Sequence, residues 1–253
     1  MSPPGIDILM YHSIAKADGP TSIAPEVFAA QMHAIAEAGV AVVTLDDLVL
    51  ARAGRKALPG HCVIVTFDDG FRDFRENAFP VLDALGFPAT VYLPAGQIGR
   101  RENWVGAHEP ARQLMSWHEV RCLAERGIVF GSHTMSHPDL SAVDDEVLEV
   151  ELSRSRAVIG DHVGRPVHHF APPYGLAGAR ERAAIARLYR TSVGTRLGRA
   201  DPAADLHDLP RLEMFYFTDI SRWRAYLSGR AQGYLRVRKL MRGLKHSVLA
   251  PWQ

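Results

Sequence analysis

The sequence predicts an α/β protein of one domain, built as a (β/α) barrel or as an open doubly wound sheet. Three observations predict it. Short apolar runs alternate with amphipathic helical patterns along the whole chain. The run CVIVTF at 62–67 is almost entirely apolar, as a parallel strand buried on both faces should be. No composition break, internal repeat or low-complexity tract divides the 253 residues.

The elements follow in order. Residues 6–12 read as a strand and 25–39 (PEVFAAQMHAIAEAG) as an amphipathic helix ending in glycine. A strand at 40–45 and a short helix at 46–54 precede the apolar strand 62–67. Residues 74–86 are helical and 89–93 a strand; a longer insertion, 95–115, leads to a helix at 116–127. A strand at 128–133 is followed by a long helix at 144–164, with Ser141 as its expected N-cap. Residues 167–170 form a strand, 179–189 a helix and 191–194 a short strand. The last strand is expected over 209–217, with helical segments after it. That makes seven or eight βα units.

Composition is that of an ordinary globular chain, 47% hydrophobic and 23% charged. A net charge of +1 gives no global field for nucleic acid, which is not expected as a partner. The two cysteines, Cys62 and Cys122, are far apart and read as buried free thiols. The start, MSPPGIDILMYH, has neither a basic n-region nor an apolar h-region, and no apolar run is long enough to span a membrane. The expected location is cytoplasmic, at the inner membrane surface if the basic C-terminal stretch binds there.

Three segments carry chemistry. Thr66-Phe67-Asp68-Asp69-Gly70 places two carboxylates at the C-terminal end of an apolar strand, the rim where such folds build active sites. Adjacent ionised carboxylates repel unless a cation or a shared proton relieves them; a helix N-cap pair is the plainer account. Gly131-Ser132-His133-Thr134-Met135-Ser136-His137 closes another strand with two histidines four apart. If the link is helical, both imidazoles face one side and can supply two nitrogen ligands. With Asp69 they make a two-histidine, one-carboxylate set with positions left open for water and substrate, and Asp68 stands beside it as a candidate general base. Phe170-Ala171-Pro172-Pro173-Tyr174-Gly175 ends a third strand in a stiff loop, either an ordinary turn or a donor of a fixed backbone N–H to an oxyanion.

With these segments in order, the chain resembles the polysaccharide deacetylase family and its NodB-type domain, from Ile6 to about Arg211. TFDDG at 66–70, SHTMSH at 132–137 and PPYG at 172–175 match its motifs, and YHSI at 11–14 looks like the opening strand of the exopolysaccharide branch. The resemblance implies a distorted (β/α) barrel, usually of seven strands, over residues 1–228. It implies Asp68 as base, Asp69, His133 and His137 as ligands of zinc (or cobalt or nickel), and the Tyr174 N–H at the oxyanion. Pro173 and Arg211 are expected at the substrate, an N-acetylated carbohydrate. Many members open the third motif with an arginine that pairs with the base; this chain has Ala171, so Asp68 must be tuned from elsewhere. No Asp-x-x-Asp-Trp motif is present, and Leu206-His207-Asp208 resembles the late Leu-x-His motif only faintly. The general acid is therefore left open: His12, which closes the first strand on the same rim, is the candidate for the acid or for a substrate contact, and Asp68 returning its own proton is the alternative.

Residues 229–253 form a basic tail. Val237, Leu240, Leu244 and Val248 recur at helical spacing, with Arg236, Arg238, Lys239, Arg242 and Lys245 among them. A helix packed on the barrel and a helix lying on an anionic membrane both fit this pattern. Three functions remain open: an N-deacetylase of amino sugars, an N-deformylase or small-molecule amidohydrolase of the same fold, and an inactive glycan-binding module. The complete Asp-Asp…His…His set argues against the last.

Overall fold

The computed structural model describes residues 5–201 and 203–248. Strands β1 (Gly5–Tyr11) and β3 (His61–Phe67) pair in parallel over their full length, from Gly5 against His61 to Tyr11 against Phe67. The opposite edge of β3 is shared. Its first half takes the two-residue β2 (Ala41–Val42), and Thr66 and Phe67 take β4 (Thr90–Leu93). The sheet continues through β5 (Val129–Ser132), β6 (His169–Phe170), β7 (Thr191–Leu197) and β8 (Leu209–Glu213), all parallel. It then returns to β1 at Leu9–Leu212 and Met10–Glu213. That last pairing rules out an open sheet: seven parallel strands close a barrel, and β2 is an extra strand beside them. The β7–β8 register shifts between Val193 and Leu197, which distorts the closure.

Helices cover the outside. Helix α1 (Pro25–Glu37) starts at a proline and buries Phe28, Met32, Ala34 and Ile35. Capping boxes set the starts of α2 (Leu45–Arg52), through Thr44 and Asp47, and of α4 (Trp117–Glu125), through Ser116 and Glu119. Helix α3 (Phe79–Leu85) is entered through a π-helical turn, Phe74–Ala78. Helices α5 (Asp145–Val163), α6 (Ala179–Leu188), α7 (Ile220–Leu227) and α8 (Gln232–Val248) complete the set. Among the described residues no helix is long and apolar enough to cross a membrane.

Three local expectations are corrected. Asp144, not Ser141, caps α5, its side chain accepting from Val147 N at 2.8 Å; Ser141 lies in a separate 3₁₀ turn whose start Asp139 caps. The last strand stops at Glu213, and Met214–Phe217 forms a 3₁₀ turn. There the Phe217 ring joins those of Trp223 and Tyr226, at 5.0 and 5.1 Å, rather than extending a ladder. Of the thiols only Cys62 is buried, with its pKa pushed up to about 11 by burial; Cys122 is exposed, its Sγ 3.8 Å from His118.

Between the strands and the covering helices lies a layer of apolar and aromatic side chains. Tyr11, Phe28, Phe67 and Phe74 form a ring cluster with centroids 4.7–5.8 Å apart. Edge and offset contacts of this kind add about 0.5–1.5 kcal/mol per pair to the burial itself. This packing holds β1 against β3, the two strands that deliver His12 and Asp68 to the rim.

Candidate active site

Every motif residue leaves the C-terminal end of a strand. His12 follows β1, Asp68 and Asp69 follow β3, His133 follows β5, and Pro172 and Tyr174 follow β6. They converge on a cavity of about 380 Å³, also lined by Met10, Thr21, Trp104, Arg112, Thr195 and Glu213. That volume falls within the range of small-molecule sites.

The backbone here is held in sparsely populated conformations. Asp69, Thr134, His137 and Tyr174, with φ of 69°, 70°, 65° and 59°, are the non-glycine residues with left-handed backbone among the described residues, and all four lie in this site. Such conformations cost of order 1–3 kcal/mol each and persist where surrounding contacts enforce them. Gly70 (φ 67°) is required next to them, since a Cβ there would come within 2.5 Å of Leu93 Cδ2.

The histidine segment is not a helix. It is a loop that turns through Thr134 and His137, which corrects the helical i, i+4 expectation while still bringing the two imidazoles together. Glu151 on α5 enforces the turn: one carboxylate oxygen accepts from Met135 N and Ser136 N at 2.7 and 3.0 Å, and the other from Ser136 Oγ at 2.7 Å. Thr134 Oγ1 accepts from His137 N at 3.0 Å.

His133 Nδ1 is 2.6 Å from the Ala171 carbonyl, which makes Nδ1 the protonated nitrogen and leaves Nε2 as a free lone pair. Nε2 of His133 and Nε2 of His137 each lie 3.4 Å from Asp69 Oδ1. That oxygen is buried and makes no hydrogen bond. Asp69, His133 and His137 are all buried, with ligand atoms within 4.8 Å of one another. Donors about 2.0–2.1 Å from a tetrahedral ion stand about 3.3–3.4 Å apart, so the spacing at Asp69 Oδ1 and the donor set both fit a zinc-like cation. The His137 ring is fixed by Trp104, stacked on it at 4.3 Å, and by Tyr174, edge-on at 4.9 Å.

Electrostatics separate the two aspartates. Burial alone would raise Asp69, but His133 and His137 outweigh it and hold the carboxyl well below its ordinary value. Burial would raise Asp68 as well, and the Arg211 guanidinium more than offsets it. Arg211, on β8, donates from NH1 to Asp68 Oδ1 at 2.7 Å and from NH2 to Oδ2 at 2.6 Å. Its Nε donates to the Gly194 carbonyl at 2.8 Å. Asp68 is therefore held ionised in a fixed orientation. His12 Nε2 lies 3.8 Å from Asp68 Oδ2. Burial lowers the His12 pKa more than Asp68 and Asp69 raise it, so its imidazole is neutral at rest.

Two expectations change. Arg211 is expected at the substrate; its side chain is fully buried and engaged with Asp68 and Gly194, so it orients Asp68 instead. It supplies the cation that Ala171 lacks. A charged residue inside the apolar stretch LPRLEMF was the available signal for a buried ion pair. Pro173 is buried, and Pro172 lines the cavity instead, because the turn Pro173–Gly175 puts its first residue inside and Tyr174 at the cavity. His207, in the faint late motif, bonds the Tyr189 carbonyl at 3.0 Å and does not line the cavity. Trp104 and Glu151 were missed. The length of the 95–115 insertion hinted at the first; nothing local pointed to the second.

A buried pair supports the wall that carries Trp104. Glu102 accepts from Arg112 Nε and NH2 at 2.7 and 2.9 Å and from the Arg112 and His108 backbone N–H groups. Arg112 in turn reaches Thr21 Oγ1 and Ser22 Oγ, tying the insertion to the loop after β1.

Fold and site together give a (β/α) barrel with an ionised carboxylate, Asp68, beside a three-donor cation site. A family profile described as polysaccharide deacetylase matches residues 55–193, more than half of the chain. The chain belongs to the polysaccharide deacetylase family, hydrolases acting on non-peptide carbon–nitrogen bonds. It is similar to the YxkH protein of Bacillus subtilis, 25% identical over 226 residues, 89% of this chain and 77% of that one. It is 32% identical over 142 residues to the poly-β-1,6-N-acetyl-D-glucosamine N-deacetylase of Escherichia coli K12, covering 50% of this chain but only 20% of that protein. Among solved structures, IcaB from Ammonifex degensii superposes with a TM-score of 0.74 at 25% identity, over 91% of this chain and 98% of that one.

Proposed function

We propose that this enzyme removes the N-acetyl group from an amino sugar in a glycan or glycan precursor, with zinc, cobalt or nickel held by Asp69, His133 and His137. The observation that carries this reading is the ionised, Arg211-gripped Asp68 beside that donor set in one cavity. A divalent ion there would polarise the acyl carbonyl and acidify the attacking water. Asp68 takes the proton of that water, and Arg211 keeps its two oxygens in place as it does so. The backbone N–H of Tyr174, on its left-handed turn, would donate to the developing oxyanion. His12, neutral and adjacent to Asp68, receives the proton and delivers it to the leaving amine. Trp104, Tyr174 and Val105 at the cavity give a sugar ring an apolar face.

The Escherichia coli relative's N-acetylglucosamine polymer suggests the first substrate to try. Acetate release should be measured on β-1,6- and β-1,4-linked N-acetylglucosamine oligomers and on nucleotide-linked N-acetyl sugars, with metal-stripped enzyme as control. Metal-dependent acetate release supports the reading. Formate release from an N-formyl sugar, without acetate from any glycan, would support the deformylase alternative, and no metal binding the glycan-binding one.

A further inference from the structure

Helix α8 presents an apolar stripe to solvent. Val237, Leu240 and Met241 are 56%, 68% and 52% exposed, and their i, i+3, i+4 spacing puts them on one side of the helix. Neighbouring residues of the helix hold it to the barrel. Leu235 is 5% exposed, Tyr234 OH donates to the Tyr216 carbonyl at 2.9 Å, and Arg238 lies over the rings of Tyr216 and Tyr234. The barrel therefore orients the helix and leaves the stripe facing outward. In the sequence the stripe continues at Leu244 and Val248, whose side chains lie outside the described part.

Charge is segregated in the same place. No Asp or Glu follows Asp219, whereas eight Lys and Arg do; the preceding residues hold 21 basic against 28 acidic groups. A net charge of +1 thus conceals an acidic body and a basic end. Arg236 and Lys239 are exposed within the same two turns as the stripe.

We propose that α8 docks this enzyme, lying in the interface plane, on an anionic lipid surface. A basic helix that keeps large apolar side chains in water has the two attractions such binding needs: apolar burial and coulombic pull on anionic headgroups. A nucleic acid would match the charge but would leave the stripe unused. A second copy of this chain would bring two acid-free helices together. Docking is independent of which glycan the cavity takes, and it places a catalytic barrel beside lipid-linked or membrane-emerging glycans.

Co-sedimentation of the full chain with phosphatidylcholine vesicles, with and without phosphatidylglycerol, tests this. The expected result is at least about tenfold stronger partition onto the phosphatidylglycerol vesicles, weakening with added salt. The triple variant Val237→Ser, Leu240→Ser, Met241→Ser should lose at least about tenfold of that partition while staying folded in a melting scan, because these side chains are mostly exposed. Arg236→Gln with Lys239→Gln should lower it further and flatten the salt dependence. Undiminished vesicle binding by the triple variant would reduce the effect to charge alone and overturn the proposal. So would absence of vesicle binding accompanied by a dimer that the triple variant dissociates, or binding to neutral and anionic vesicles alike.

Discussion

Asp68 and Arg211, 143 residues apart, meet through two parallel hydrogen bonds of 2.7 and 2.6 Å inside the barrel. The contact exists because β8 closes on β1, itself paired along its whole length with β3, the strand that ends at Asp68. A two-point grip fixes the carboxylate plane as well as its charge. Arg211→Met should strand a buried charge and destabilise the fold by about 3–5 kcal/mol in denaturant titrations. Adding Asp68→Asn to it should recover much of that stability and none of the activity. Wild-type kcat and stability in Arg211→Met would show that the pair matters to neither.

Asp68→Asn alone should retain the metal and lose roughly 10²–10⁴ in kcat, the usual range for a general base. Elemental analysis alongside the kinetics distinguishes a base from a ligand. Loss of metal together with activity would place Asp68 among the ligands.

Purified wild-type protein should carry about one divalent ion per chain, as a single three-donor site implies. A chelator should abolish turnover and added zinc should restore it. His133→Ala combined with His137→Ala should not retain the ion; metal affinity equal to wild type would remove the assignment.

His12 stands 3.8 Å from Asp68 with burial holding it neutral. If it carries the proton to the amine, His12→Gln should lower kcat by about 10²-fold or more and change the basic limb of the pH profile. A raised KM with kcat intact would make it a binding residue instead. Unchanged values of both would leave Asp68 as the sole proton carrier.

Glu119 caps α4 by accepting from Ser116 N and Oγ at 2.8 and 2.9 Å, and Arg72 Nε lies 3.2 Å away. Burial would raise its carboxyl, but the Ser116 bonds and the Arg72 and Arg75 charges leave it lowered. A lowered carboxyl binds fewer protons folded than unfolded. Its stabilisation is therefore full above the unfolded value of about 4.3 and is lost as pH falls through the folded value. Glu119→Gln should cost about 1 kcal/mol at neutral pH and converge with wild type in acid. An equal difference at both pH values would exclude the ionised cap.

By itself the sequence determined the alternation of strands and helices, the parallel arrangement announced by CVIVTF, and the strand-end segments around Asp68-Asp69, His133…His137 and Tyr174. These were legible because each is local: a strand's burial and the residues just past its end are written in a few consecutive letters. Tertiary structure decided the rest. It closed the barrel through two residue pairs of β8 and β1, which no local pattern encodes. It set Arg211 behind Asp68, Glu151 beneath the histidine loop and Trp104 against His137. It also turned the histidine pair in a loop rather than a helix, because left-handed backbone at Thr134 and His137 is unfavourable alone and forms only where Glu151 and the packed rim enforce it.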